Sequence, residues 1–112
     1  MFPSKYQRKF AGLRRRFLSG LPAREAEIED LTATLLEHGA SPKALEELYL
    51  ATHKLAGISG TYGLRKLGDL AAEVEQLLEP VRLRLPTPHE LESILVATDI
   101  LSEELGEVIA TA

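Results

Sequence analysis

Apolar residues recur at intervals of three and four along most of this chain, a spacing that places them on one face of an α-helix. Glycine or proline interrupts the pattern at Gly20, at Gly39, within residues 60–63 and again at Pro80, which separates five amphipathic segments. Leu and Ala dominate the apolar residues, whereas the β-branched and aromatic residues that favour strands are few. The sequence therefore predicts an all-α fold.

Local start and stop signals set the limits of these helices. The third and fifth helices are each preceded by a hydroxyl residue and a proline, at Ser41 and Thr87, which is a favourable helix start. Residues 81–86 are bounded by prolines and are interpreted as a linker. The predicted helices cover approximately residues 4–19, 22–38, 42–59, 63–78 and 88 onwards. They predict an antiparallel up-and-down four-helix bundle with an additional N-terminal helix, in a single domain over residues 1–112.

The net charge of −4 conceals a strong asymmetry, because residues 1–24 carry seven Lys or Arg and no acid. The rest of the chain holds the other six basic residues and all 17 acids. A basic segment with interleaved aromatic residues is compatible with a nucleic-acid or membrane-surface partner. We favour a structural interpretation, in which apolar stripes of the first two helices are buried and the basic face is left to an acidic partner. The stripes are Phe10, Leu13, Phe17 and Leu21, and then Ile28, Leu31, Leu35 and Leu36.

Composition excludes several classes of site and location. The chain has no cysteine, so it forms neither disulfides nor thiolate metal sites, and no histidine pair has the spacing of a metal site on a helix. No apolar run approaches the roughly 20 residues of a membrane span, and basic residues interrupt the N-terminal segment where a secretory signal would be apolar. We expect a cytoplasmic protein with no intrinsic cofactor, no nucleic-acid partner and no membrane partner. A single apolar stripe on each helix predicts a monomer.

The third helix carries the most unusual local arrangement, a histidine followed one turn later by a glycine. Gly57 lies on the same face as His53 and leaves the imidazole uncovered on that side. Glycine within a helix costs about 1 kcal/mol relative to alanine, so access by another protein is a reason for its presence. We predict His53 at the solvent boundary, on a face shared with Glu46 and Tyr49. The predicted core face comprises Leu45, Leu48, Thr52, Leu55 and Ser59.

The segment from His53 to Glu75 resembles the signature of histidine-containing phosphotransfer domains, four-helix modules that relay phosphoryl groups in two-component signalling. That signature is a helical His-x-Leu-Lys-Gly, small residues, a glycine that opens the next helix, and spaced leucines ending at Glu or Gln. The turn at residues 60–63 is also similar to that of the corresponding domain of chemotaxis histidine kinases. The matching residues here are His53, Leu55, Gly57, Ser59, Gly63, Leu64, Leu67, Leu70, Val74 and Glu75.

The resemblance implies that His53 is the phosphorylated residue of a carrier protein, not an enzyme, without its own ATP site. It also implies that Glu75 orients the imidazole by accepting a hydrogen bond from Nδ1–H, which leaves Nε2 as the nucleophile. The partners would be an upstream histidine kinase and response-regulator receiver domains, with Mg²⁺ supplied by the receiver. Gly57 would admit the receiver. The other expected partner contacts are Glu46, Tyr49, Lys54, Ala56 and Gly60.

One position departs from the family pattern, because Ala56 replaces the lysine three residues after the histidine. Loss of that cation weakens stabilisation of charge on the transferring phosphoryl group. Arg65 and Lys66 open the next helix and are candidates to approach the site. Two alternatives therefore stay open on the same fold: an adaptor that binds receivers without being phosphorylated, and the phosphotransfer domain of a chemotaxis-type histidine kinase. A third is an enzyme or nucleic-acid binder that uses the basic first helix.

Overall fold

The computed structural model describes residues 4–112 and contains five α-helices and two short 3₁₀ turns in that range. The helices are α1 (Lys5–Ser19), α2 (Leu21–His38), α3 (Pro42–Ser59), α4 (Arg65–Leu78) and α5 (Pro88–Thr111), and the 3₁₀ turns are Gly60–Tyr62 and Glu79–Val81. No strand occurs among these residues, which confirms the all-α prediction. The predicted single domain includes residues 1–3, which lie outside the described part of the chain.

Helices α2 to α5 enclose the hydrophobic core. Each contributes fully buried side chains, among them Leu35, Leu48, Val74 and Leu101. The predicted core face of α3 is confirmed, because all five of its residues are buried. Thr52 and Ser59 are buried there without an unsatisfied hydroxyl, since each donates a hydrogen bond to a carbonyl of the preceding turn.

Helices α3 and α4 pack against each other at Gly68. A Cβ at Gly68 would lie 3.4 Å from the Ser59 Cβ and 3.5 Å from the Ala56 carbonyl oxygen. The turn between the two helices ends at Gly63, whose φ of +79° is a left-handed conformation that favours glycine. Helices α3 and α4 are antiparallel, because Ser59 lies beside Gly68 and the earlier residue His53 lies beside the later residue Glu75. The antiparallel order of the other helices stays a prediction.

The predicted burial of the first apolar stripe is wrong for half of its residues. Phe17 and Leu21 are buried, but Phe10 and Leu13 are 45% and 44% exposed. The reason is that α1 continues past the end of the bundle, where few other residues can cover it. The Tyr62 ring lies against α1, with its centroid 5.3 Å from those of Phe10 and Phe17, and covers Phe10 only in part.

Two further predictions from the sequence need correction. Leu36, placed in the buried stripe of α2, is 67% exposed, since its neighbour Leu35 already occupies the core position. Val81, placed in a linker, is buried in the core and belongs to the second 3₁₀ turn. Residues 79–81 therefore form part of the packed domain, and they hold the following residue, Arg82, in a defined position.

The start of α5 is held by a compact set of hydrogen bonds. Thr87 and Glu90 form a capping box, in which each side chain accepts a hydrogen bond from the backbone N–H of the other. Arg84 donates two hydrogen bonds of 2.8 Å to the Glu90 carboxylate. These contacts, led by Arg84, lower the pKa of Glu90 from 4.5 to about 2.

This lowered pKa predicts a loss of stability in acid. A carboxyl group with a lowered folded-state pKa stabilises the protein above its usual pKa of 4.5, and the contribution is lost as the pH falls towards 2. We expect Glu90→Gln to lower the melting temperature by a few degrees at neutral pH, and the difference from the wild type to vanish near pH 2. Thermal unfolding followed by circular dichroism measures this. Glu92→Gln is the control, and an equal pH dependence in both variants would contradict the prediction.

Candidate functional site

His53 presents its imidazole on the outer face of α3, where the side chain is 61% exposed. Its Nδ1 lies 2.8 Å from Oε2 of Glu75, a residue of α4 whose side chain is 23% exposed. An ionised carboxylate can only accept a hydrogen bond, so the hydrogen is on Nδ1 and the Nδ1–H group is the donor. In the neutral ring the lone pair is then on Nε2. The arrangement is an exposed nitrogen nucleophile on a ring whose orientation is restricted.

The antiparallel packing of α3 and α4 aligns a column of side chains along the site. His53 is opposite Glu75, and one turn earlier on α3, Tyr49 is close to Glu79. At the next turn, Glu46 is paired with Arg82. Moving one turn towards the N-terminus of α3 corresponds to moving about one turn towards the C-terminus of α4 and into the 3₁₀ turn that follows it. The helical repeat therefore brings these residues together although they are far apart in sequence.

Tyr49, predicted as a partner contact, is mostly buried and lies beside the histidine. Its side chain is buried at 9% exposure. Its ring is nearly parallel to that of His53, with an interplanar angle of 6° and a centroid separation of 6.0 Å. The neighbouring Glu79 carboxylate, followed by desolvation, raises the pKa of the Tyr49 hydroxyl above 10.0. The predicted solvent-boundary position is confirmed for His53, and Tyr49, on the same face of α3, is buried.

Arg82 completes the column, and the sequence reasoning missed it because it was assigned to a linker. Its guanidinium lies 3.9 Å from the centroid of the Tyr49 ring. It also donates hydrogen bonds of 3.2 and 2.9 Å to the two carboxylate oxygens of Glu46. This pairing lowers the pKa of Glu46 and raises that of Arg82. Glu46, predicted as a partner contact, is thus engaged within the domain.

The two glycines expected at the partner surface both face open space. A Cβ at Gly57 or Gly60 would meet nothing within 4 Å. Packing within the domain therefore does not require either glycine. Lys54 is exposed and lines a groove between α2 and α3. Ala56 is partly buried and packs against the core. The structure thus places Gly57, Gly60 and Lys54 on accessible surface.

The candidate cations at the start of α4 pair elsewhere. Arg65 is 3.8 Å from Asp69 on its own helix, and Lys66 is 3.6 Å from Glu104 on α5. Both side chains are therefore paired with acids of the domain. Within residues 4–112, no group of three or more His, Asp or Glu side chains is arranged to hold a metal ion. No helix in the same range is both long and apolar enough to cross a membrane.

Comparison with known proteins identifies one family. The model of the family described as Hpt domain matches residues 12–111, which is nearly the whole chain. Neither the curated proteins nor the solved structures that were compared include a significant match. The matched range begins within α1 and includes all of α2 to α5, so it contains every residue of the column around His53.

The hydrogen bond between His53 and Glu75 predicts a single ring tautomer. We expect the ¹⁵N shifts of neutral His53 to show a protonated Nδ1 and an unprotonated Nε2. Glu75→Gln retains an oxygen acceptor and should preserve this state, whereas Glu75→Leu should shift His53 towards the Nε2–H tautomer that is usual in water. Glu73→Leu, on an exposed part of α4, is the control. Unchanged His53 shifts in Glu75→Leu would show that the carboxylate does not select the tautomer.

Proposed function

Since this chain belongs to the Hpt domain family, whose members take part in histidine phosphotransfer, we propose that His53 carries a phosphoryl group received from and returned to receiver-domain aspartates. The observation that supports this most directly is the state of the imidazole. Nδ1 is held 2.8 Å from Glu75, while the side chain as a whole is 61% exposed. A neutral imidazole that is protonated on Nδ1 needs no separate general base, because Nε2 already carries a lone pair.

The proposed transfer is a reversible in-line displacement. The Nε2 lone pair attacks the phosphorus of the receiver's aspartyl phosphate, an N–P bond forms, and the P–O bond to the aspartate breaks to release its carboxylate. The ring becomes positively charged as the N–P bond forms, and Glu75 stabilises that charge through its hydrogen bond to Nδ1–H. Transfer to another receiver follows the same steps in reverse. The chain therefore acts as a carrier between proteins.

Neutralising the charge on the phosphoryl group falls mainly to the partner in this proposal. Phosphoryl transfer depends on positioning and on cations around the phosphoryl oxygens. Three cations of the domain are paired with its own acids: Arg82 with Glu46, Arg65 with Asp69, and Lys66 with Glu104. Lys54 follows His53 in sequence but lies about 100° away from it around the helix. We therefore assign the Mg²⁺ and the principal cationic groups to the receiver, and expect no direct reaction with ATP.

The proposed docking surface is the side of α3 around His53, together with the neighbouring α2 surface. Gly57 and Gly60 leave open space there, and Lys54 contributes an exposed charge. Ala56 contributes no charge, so transfer is expected to be slower than in relatives with lysine at this position. The setting that we propose for this exchange is the cytoplasm, with a monomeric carrier and an upstream histidine kinase.

One observation favours a second candidate function, an adaptor that binds receivers without phosphorylation. Ala56 removes the cation that the family pattern places beside the phosphoryl group, while the docking surface itself is retained. An adaptor would bind a receiver with equal affinity in the presence and absence of His53. A carrier would require that residue for every transfer.

The proposed carrier function predicts phosphorylation of His53 by phosphorylated receiver domains. We expect an acid-labile, base-stable label on the wild type when it is mixed with a panel of such receivers, and no label on His53→Gln. His89→Gln, which changes another exposed histidine, is the control and should be labelled normally. Label that persists in His53→Gln would disprove the assignment of the site. Binding of receivers without any label would favour the adaptor.

The open space at Gly57 predicts that stability and transfer respond in opposite directions to one substitution. Gly57→Ala should stabilise the protein by about 1 kcal/mol, because alanine favours the helix and its Cβ meets nothing within 4 Å. The same methyl group should slow transfer from a receiver by about tenfold, equivalent to about 1.4 kcal/mol, by intruding on the docked partner. Chemical denaturation and single-turnover transfer measure the two effects.

Gly12→Ala is the matched control for this substitution. Gly12 lies within α1, where a new Cβ would also have room, with its nearest contact at 3.8 Å. It should stabilise the protein similarly and leave transfer unchanged. Equal transfer rates in Gly57→Ala and the wild type would mean that Gly57 does not serve partner access.

A further inference from the structure

The part of α1 from Tyr6 to Leu13 exposes an apolar stripe that the rest of the described chain covers only in part. Tyr6 is 85% exposed, Phe10 45% and Leu13 44%. At about 100° per residue, these three and Phe17 fall within an arc of about 60° on one side of the helix. Phe17 is buried, so the stripe continues from the bundle out onto a free helix face.

This apolar stripe is flanked by positive charge on both sides. Lys9 and Arg16 border it on one side and Arg14 on the other, and no acid occurs in residues 1–24. Within the described residues, no Lys or Arg of α1 forms an ion pair. A helix with an aromatic and aliphatic stripe between basic borders has the pattern of helices that lie in the interface of an anionic membrane.

The N-terminal part of α1 projects from one end of the bundle, where a membrane surface could contact it. Gly20 joins α1 to α2 in a right-handed helical conformation, and its N–H donates to the Arg16 and Phe17 carbonyls, so α1 extends the line of α2. The molecule is accordingly 56 Å long but only 24 by 20 Å across. The domain covers α1 mainly towards its C-terminal end, where Phe17 is buried and Arg14 donates a 3.0 Å hydrogen bond to the Tyr62 carbonyl.

We propose that the first half of α1 binds the surface of an anionic lipid bilayer. Its apolar stripe enters the interface, and its basic residues contact the lipid headgroups. The remainder of the chain, with 17 acids and six basic residues, is repelled by the same surface. The bundle is therefore held away from the membrane with only α1 in contact. Such binding at the surface does not require a helix that spans the bilayer. The sequence favoured no membrane partner because the apolar stripe of α1 was expected to be buried, and much of that stripe is exposed.

Two other occupants fit the observations less well. A second copy of the chain offers acidic surface, but three exposed side chains fall far short of the roughly 20 to 30 residues per side of a stable interface. Pairing of α1 with α1 would oppose two basic helices. Nucleic acid would attract the charge, but binding to phosphates leaves the apolar stripe in water. A lipid surface accommodates both the charge and the stripe.

The test uses the full chain and sedimentation with vesicles of two compositions. We expect binding to phosphatidylcholine vesicles that contain about one third phosphatidylglycerol, and little binding to phosphatidylcholine alone. Raising the salt concentration should weaken the binding. The double variant Tyr6→Ser with Leu13→Ser should reduce partitioning at least about tenfold. It changes exposed side chains and keeps the Phe10 and Phe17 contacts with Tyr62, so circular dichroism should show an unchanged fold.

Leu36→Ser is the matched control, because Leu36 is 67% exposed but lies on the acidic helix α2. It should partition like the wild type. Failure of the wild type to bind anionic vesicles at low salt would overturn the proposal. The proposal would also be overturned if the wild type did not bind vesicles but formed a dimer or bound duplex DNA, and the double variant abolished that interaction. Phosphotransfer to His53 in solution is expected to be the same in the double variant, so this test is independent of the carrier function.

Discussion

The close packing of α3 against α4 sets the position of every residue around His53. Gly68 lies at this interface, where a Cβ would be in ordinary van der Waals contact with Ser59 and the Ala56 carbonyl. Once the two helices are antiparallel and in register, the helical repeat brings Glu75 to His53 and Arg82 to Glu46. The site is therefore a consequence of helix packing, and no separate loop is needed to assemble it.

The side chains of this site orient the histidine. The carboxylate of Glu75 holds Nδ1, and Tyr49 limits the space beside the ring. Arg82, the cation of this column, is engaged by Glu46 and by the face of Tyr49. An exposed histidine that is oriented by an acid of the same chain agrees with membership of the Hpt domain family.

The first helix has a different environment in each half, and this gives the molecule two surfaces with separate chemistry. Its second half packs Phe17 onto Tyr62 and is part of the domain. Its first half is basic and carries an exposed apolar stripe. The surface around His53 is suited to a protein partner, because its open glycines leave room for another chain. The proposed lipid contact on α1 uses none of those residues.

The sequence by itself determined the helical class, the limits of α3 and its core face, because periodicity and caps are local signals. It also singled out His53 and Glu75 as a pair through the family resemblance. Tertiary structure alone decided that Tyr49 is buried and that Arg82 joins the column, since both depend on α3 meeting a turn some 30 residues further along the chain. It likewise decided the exposure of Phe10 and Leu13. Helical spacing shows that an apolar stripe exists, but only the packing of the other helices determines whether anything covers it.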